Sequence, residues 1–146
     1  MKSIVELEID VPKNELAALF ADPDNMTKWM DDLARYDHIG GDAGMPGSCY
    51  RMVPKPGTSQ MEFVATVTAR NLPDEMGLRL ESPTVDVAIR CTFAALSPHR
   101  TKLVSEEVFT FRGLFNRIFG FLAQKEIKKH HRRHIESFKQ FAESRA

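Results

Sequence analysis

The sequence has little that would commit it to a class of chemistry. Its 146 residues hold two cysteines and one tryptophan, and twenty basic residues balance twenty acidic ones, so no global field recruits nucleic acid or an anionic membrane. Cys49 and Cys91 fall in separate predicted strands without CxxC spacing. A structural zinc site needs about four ligands, so no thiol metal site is expected, and reduced thiols fit a cytoplasmic protein. No apolar run approaches the ~18 residues that would span a bilayer. The opening MKSIVELEID alternates and carries acids, which reads as a strand and not as a signal peptide. Apolar residues at 42% and charged residues at 27% argue against disorder. The length fits one domain, residues 1–146, with a sizeable core.

What is present is a clear order of elements. Val5, Leu7 and Ile9 alternate with Glu6, Glu8 and Asp10, predicting a half-buried strand over Lys2 to Asp10. Pro12 and the pair Asp22-Pro23 each suit a helix start, so two short helices follow, the second carrying Trp29. Strands are then expected over 34–41, Ser48 to Val53, Gln60 to Arg70, Met76 to Glu81, a segment holding Val85 to Phe93, and Thr101 to Phe111. Short connections favour antiparallel pairing, because parallel neighbours need long crossovers. The last long segment, Leu114 to Ser144, reads as one helix, and it is the element long enough to cover the sheet. Its apolar face changes sides. Leu114, Phe115, Ile118, Phe119, Phe121 and Leu122 share one arc, whereas Ile127, Ile135, Phe138, Phe141 and Ala142 cluster about 140° away. A curved sheet around one helix leaves space at the unfilled end for a small molecule.

This order, with the segments VPKNELAALFADPDNMTKW, GGDAGMPGSCYRMV and RTKLVSEEVFTF and the closing helix, resembles the START-like or SRPBCC superfamily. That grouping includes polyketide cyclase/dehydrase-like, lipid-transport-like and birch-pollen-allergen-like proteins. The resemblance covers essentially the whole chain. It implies an α+β helix-grip fold, a curved seven-stranded antiparallel sheet gripping the C-terminal helix around a hydrophobic cavity. Implied roles run from binding lipids, sterols, quinones and hormones to cyclase or aromatase chemistry on polyketides. No segment matches a cyclase active-site signature, and fold alone does not choose among the roles.

Within that frame Glu107 is the sharpest candidate. If Leu103, Phe109 and Phe111 face inward, alternation carries Ser105 and Glu107 inward too, and a carboxylate among phenylalanines would serve as acid, base or ligand anchor. The competing phase puts Val104 and Val108 inside and Glu107 in solvent. His131 and His134 lie on the second apolar arc at i and i+3, where both reach one space, as cavity residues or as a bonded core edge. His130 and His134 have the i, i+4 spacing of a metal pair, but no third ligand is in view, so the expectation is no metal and no cofactor. Trp29, Phe63, Ile89, Glu107, Phe109, Phe119, His131 and His134 are the expected pocket residues, with Glu107, His131 and His134 as weak catalytic candidates. Met26, Met30, Met52, Met61 and Met76 would supply an adaptable lining.

The Phe-rich piece LFNRIFGFL ahead of KEIKKHHRR has the look of an interfacial helix, but packing over the open end of the sheet as a lid is the favoured reading. The basic run Lys125, Lys128, Lys129, Arg132 and Arg133 is read as a solvated face. The functional expectation is a carrier or sensor for a small hydrophobic ligand, leaning away from catalysis. The alternatives are a polyketide cyclase/dehydrase-type enzyme using Glu107 with His131 or His134, and a peripheral lipid-transfer protein. The expected partner is a small hydrophobic molecule and not nucleic acid; membrane contact is not favoured, and the chain is expected as a monomer or homodimer.

Overall fold

In a computed structural model, which describes residues 1–58 and 61–145, alternation along seven segments becomes one antiparallel sheet. The strands are β1 (Lys2–Ile9), β2 (Leu33–Gly40), β3 (Cys49–Pro54), β4 (Phe63–Asn71), β5 (Glu75–Glu81), β6 (Val85–Ser97) and β7 (Arg100–Phe111). Their spatial order is β1-β7-β6-β5-β4-β3-β2, so β2 to β7 form a meander and β1 joins its far edge. The expected strand start at Gln60 lies outside the described residues, and Met61 and Glu62 precede β4 as irregular chain. Helices α1 (Lys13–Ala21) and α2 (Met26–Trp29), joined by a 3₁₀ turn at Pro23–Asn25, connect β1 to β2. Asp22 caps that turn by accepting the Asp24 N–H at 2.9 Å, with Pro23 at the first position.

One face of the sheet packs against α4 (Gln124–Ser144). Its buried stripe, His131, Ile135, Phe138 and Ala142, follows the i, i+4, i+7 spacing of one helix face. Phe138 is fully buried and packs edge-on against Phe20 and Trp29, with ring centroids 5.3 and 5.2 Å away, so α1 and α2 close the core at this end.

The single long helix expected from Leu114 to Ser144 is two helices. Ala123 leaves helical geometry at φ −91°, ψ 6°, separating α3 (Leu114–Leu122) from α4. The break allows the two apolar faces to point in different directions without one partner surface wrapping both. The lid expectation holds only in part: Asn116 and Phe119 of α3 line the cavity, but Phe115, Phe121 and Leu122 are 82%, 71% and 76% exposed, and the buried residue of α3 is Gly120. Gly120 lies so close to the Phe111 ring that a Cβ there would come within 2.5 Å of it. That contact anchors α3; Phe115 and Phe121 face outward, whereas Phe119 reaches the cavity.

Candidate functional site

Between the sheet and α4 lies an open cavity of about 880 Å³, within the range of pockets that take a small organic molecule. Met52, Phe63, Leu80, Val87, Ile89 and Phe109 form much of its sheet-side wall, while Ile127, His130 and His134 come from α4. The alternating strands make this apolar face, since inward positions at every second residue stack into one wall across β3 to β7.

The phase of β7 follows Leu103, Ser105 and Glu107, which face inward; Leu103 and Ser105 are fully buried. Glu107 pairs across the sheet with Ile89 on β6 and Ser3 on β1, so it is carried on the inner face by neighbours on both sides. Its carboxyl is 17% exposed and lines the cavity. Loss of hydration in that apolar wall pushes its pKa up to about 7. Near neutral pH it therefore divides between acid and carboxylate.

Of the eight expected pocket residues, Phe63, Ile89, Glu107, Phe109, Phe119 and His134 line the cavity. Trp29 and His131 are not among its walls, which corrects the sequence expectation for both. Trp29 is buried between Phe20 and Phe138, and its indole N–H finds no acceptor among the described residues. His131 is captured by the β1–β7 edge of the sheet: Ser3 Oγ is 2.7 Å from Nδ1 and Ser105 Oγ 2.9 Å from Nε2. Both ring nitrogens are thus taken. Burial, helped by repulsion from His134 and His130, holds its pKa down to about 4, so the ring is neutral. Glu107 Oε2 lies 3.7 Å from Nε2, on the cavity side. Met30, Met52 and Met61 reach the cavity, whereas Met26 and Met76 are core.

The partner of His134 is therefore His130, not His131. The i, i+4 spacing brings their rings to 4.1 Å between centroids, and both line the cavity. Between them sits a residue that sequence reasoning missed. Asp32, in the turn between α2 and β2, lies 102 residues before His134. Its backbone carbonyl accepts from Lys55 N–H at 2.9 Å, and the turn closes with Leu33 N–H donating to Met30 O. So held, both carboxylate oxygens accept from His134 Nε2 at 3.1 Å, and Oδ2 lies 3.4 Å from His130 Nε2. Burial would raise the Asp32 pKa, but the His134 hydrogen bond and the charges on His134 and His130 outweigh it and hold the carboxyl below its ordinary value. Burial beside His134 pushes His130 down to about 4. Arg133 completes the group from the solvent side, 3.6 Å from Asp32 Oδ2. In the local pattern Asp31-Asp32 reads only as turn residues. Ser3 and Ser105 did carry a signal: both are small polar residues in phase with inward apolar ones.

No family model matches the chain, and no curated protein matches it significantly. Solved structures do. Truncated norcoclaurine synthase from Thalictrum flavum aligns with a TM-score of 0.75 at 10% identity, covering 97% of this chain and 93% of that one. The protein TTHA0849 from Thermus thermophilus aligns at 0.75 and 15% identity, covering 99% and 96%. Ara h 8.0201 aligns at 0.70 and 13%, covering 99% and 98%. The Thalictrum enzyme has also been solved with dopamine and hydroxybenzaldehyde, and that structure aligns at 0.70. At such identities the likeness shows the fold alone, the helix-grip arrangement of a seven-stranded antiparallel sheet around a long C-terminal helix.

Proposed function

We propose that this helix-grip protein binds a small hydrophobic molecule carrying at least one polar group, and acts as its carrier or sensor. The observation that carries the reading is the polarity of the cavity: an apolar wall from five strands, interrupted by Glu107 and by the Asp32–His134 pair. The apolar wall supplies non-directional affinity, roughly 25 cal/mol per Å² of apolar surface removed from water. The polar groups orient the molecule, because a hydroxyl or carbonyl placed against them replaces lost hydration. Small aromatic compounds held by a protein of the same shape, the Thalictrum synthase, are consistent with this class of ligand. Of the acid–base pairs expected from sequence, Glu107 with His134 shares the cavity, and His134 is engaged with Asp32; the arrangement favours binding over proton shuttling.

The test is native mass spectrometry of protein purified from its own host, beside an Ile89→Trp variant whose added ring fills the cavity. A co-purifying compound should accompany the wild-type chain and be reduced at least ~10-fold in the variant, equivalent to ~1.4 kcal/mol. Wild-type protein that emerges empty, and takes up no fatty acid, quinone or aromatic polyketide offered to it, would sink the reading.

A second reading, exchange of that ligand with a membrane, is favoured by α3. Six large apolar side chains of this nine-residue helix are exposed, and Phe119 among them also lines the cavity. Basic residues Lys125, Lys128 and Lys129 follow within two turns. Among the described residues no helix is long and apolar enough to cross a bilayer, so contact would be interfacial. Wild-type protein should co-sediment with phosphatidylglycerol vesicles, and the double change Phe115→Ser with Phe121→Ser should lower partitioning at least ~10-fold, since each buried phenylalanine contributes roughly 2 kcal/mol. Equal sedimentation of the two proteins would remove this reading.

A further inference from the structure

The cluster at the α4 end of the cavity has a geometry that hydrogen bonding alone does not require. We propose that Asp32, His130 and His134 form a binding site for a divalent first-row transition-metal ion, with its open coordination positions facing the cavity. The donor atoms, one carboxylate oxygen and one nitrogen from each imidazole, all lie within 4.8 Å of one another. The separations from Asp32 to the two Nε2 atoms, 3.1 and 3.4 Å, lie just under and at the edge of a tetrahedron with bonds of ~2.1 Å, which is ~3.4 Å. A metal could therefore take the place of the hydrogen bond between His134 Nε2 and Asp32 with little movement of the backbone.

Three features make the site a built one. His130 and His134 are one turn apart on a single helix, so their relative position is set by helix geometry and not by flexible loops. Asp32 comes from a turn fixed by two backbone hydrogen bonds. The three side chains are 10%, 28% and 13% exposed for Asp32, His130 and His134, and each lines the cavity. Two imidazoles with one carboxylate suit zinc, ferrous iron or cobalt, whereas magnesium and calcium prefer all-oxygen ligand sets. Three protein ligands leave room for water or for an oxygen atom of a cavity ligand, the pattern of a catalytic and not a structural ion. The proposal reverses the expectation of no metal, which rested on the absence of a third ligand near HxxxH.

Arg133 is the opposing element. Its Nη2 lies 3.2 Å from His130 Nδ1 and 3.6 Å from Asp32 Oδ2. Coordination through Nε2 places the His130 proton on Nδ1, where it would meet the Arg133 donor, so Arg133 must swing out. Its side chain is 59% exposed and has room to do so. Removing it should therefore tighten the metal, an outcome that mere surface binding to stray histidines does not predict.

The experiment uses the full chain, stripped with chelator and titrated with Zn²⁺ and with Co²⁺ by calorimetry, without any hydrophobic probe. Expected are one equivalent of Zn²⁺, cobalt absorption bands of a tetrahedral or five-coordinate site, and no heat from Mg²⁺ at the same concentration. Asp32→Asn, His130→Ala and His134→Ala should each weaken Zn²⁺ at least ~100-fold, Arg133→Ala should strengthen it, and the remote His38→Ala and His99→Ala should not change it. Circular dichroism shows whether each variant is folded; should Asp32→Asn unfold, the two histidine variants still decide. No zinc uptake, or uptake that survives both histidine substitutions in folded protein, overturns the site. The site deepens the cavity reading without depending on it: hydrophobic ligand uptake is measured separately on stripped protein, so either can fail alone.

Discussion

Glu107→Gln stabilises the protein at alkaline pH and leaves it unchanged near about pH 4, because the two side chains differ only when the carboxyl is ionised. The carboxyl has a pKa of about 7 in the fold against an ordinary 4.5. Below the lower value it is protonated in both folded and unfolded chains and contributes nothing to pH dependence. Between the two values the folded protein retains a proton that the unfolded chain has lost, so wild-type stability falls as pH rises through this window. The full loss is about 3 kcal/mol, reached about a pH unit above 7. Glutamine has the same shape and no charge to desolvate, so the variant escapes that loss. Urea unfolding at a series of pH values reads it directly: the difference between variant and wild type should grow from near zero to about 3 kcal/mol. A difference that stays flat with pH would mean that Glu107 is solvated and that the inward phase of β7 near it is wrong.

The second large effect is at His131. Replacing it with alanine should cost about 3–4 kcal/mol, because Ser3 and Ser105 lose their partners inside the protein, each at ~1–3 kcal/mol, and a void is left. The measurement that separates structure from ligand binding is a cycle. Ser3→Ala and Ser105→Ala in a His131→Leu background should recover much of the loss, since removing all three polar groups leaves none unsatisfied. Ligand uptake per folded molecule should be unchanged throughout. A His131→Ala protein of wild-type stability that has lost ligand would return His131 to the cavity wall.

These two residues show how far strand and helix periodicity carries. Alternation offered two phases for β7 and could not choose, because Val104 and Val108 form an apolar face as good as that of Leu103 and Phe109. Pairing with Ile89 and Ser3 chooses, since cross-strand neighbours share a face. The helical wheel likewise placed His131 and His134 on one arc. Tertiary contacts divide them: small serines on β1 and β7 make a socket for one, and the turn after α2 brings a carboxylate to the other.

The sequence by itself determined the order of elements, the antiparallel sheet covered by the C-terminal helix and the outward side of the basic run, because each is written in local periodicity, turn chemistry and connection length, while the helix-grip architecture came from the family resemblance. It also marked the face switch after Leu122, though not its consequence. Only the tertiary structure decided that the switch is a break at Ala123 with most of the Phe-rich helix turned to solvent, and that His131 serves the core. Above all, it decided that Asp32 meets His130 and His134. That meeting joins residues about a hundred positions apart through a turn, a sheet and a helix, and local periodicity carries no information about which distant side chain will fill the space a helix face presents.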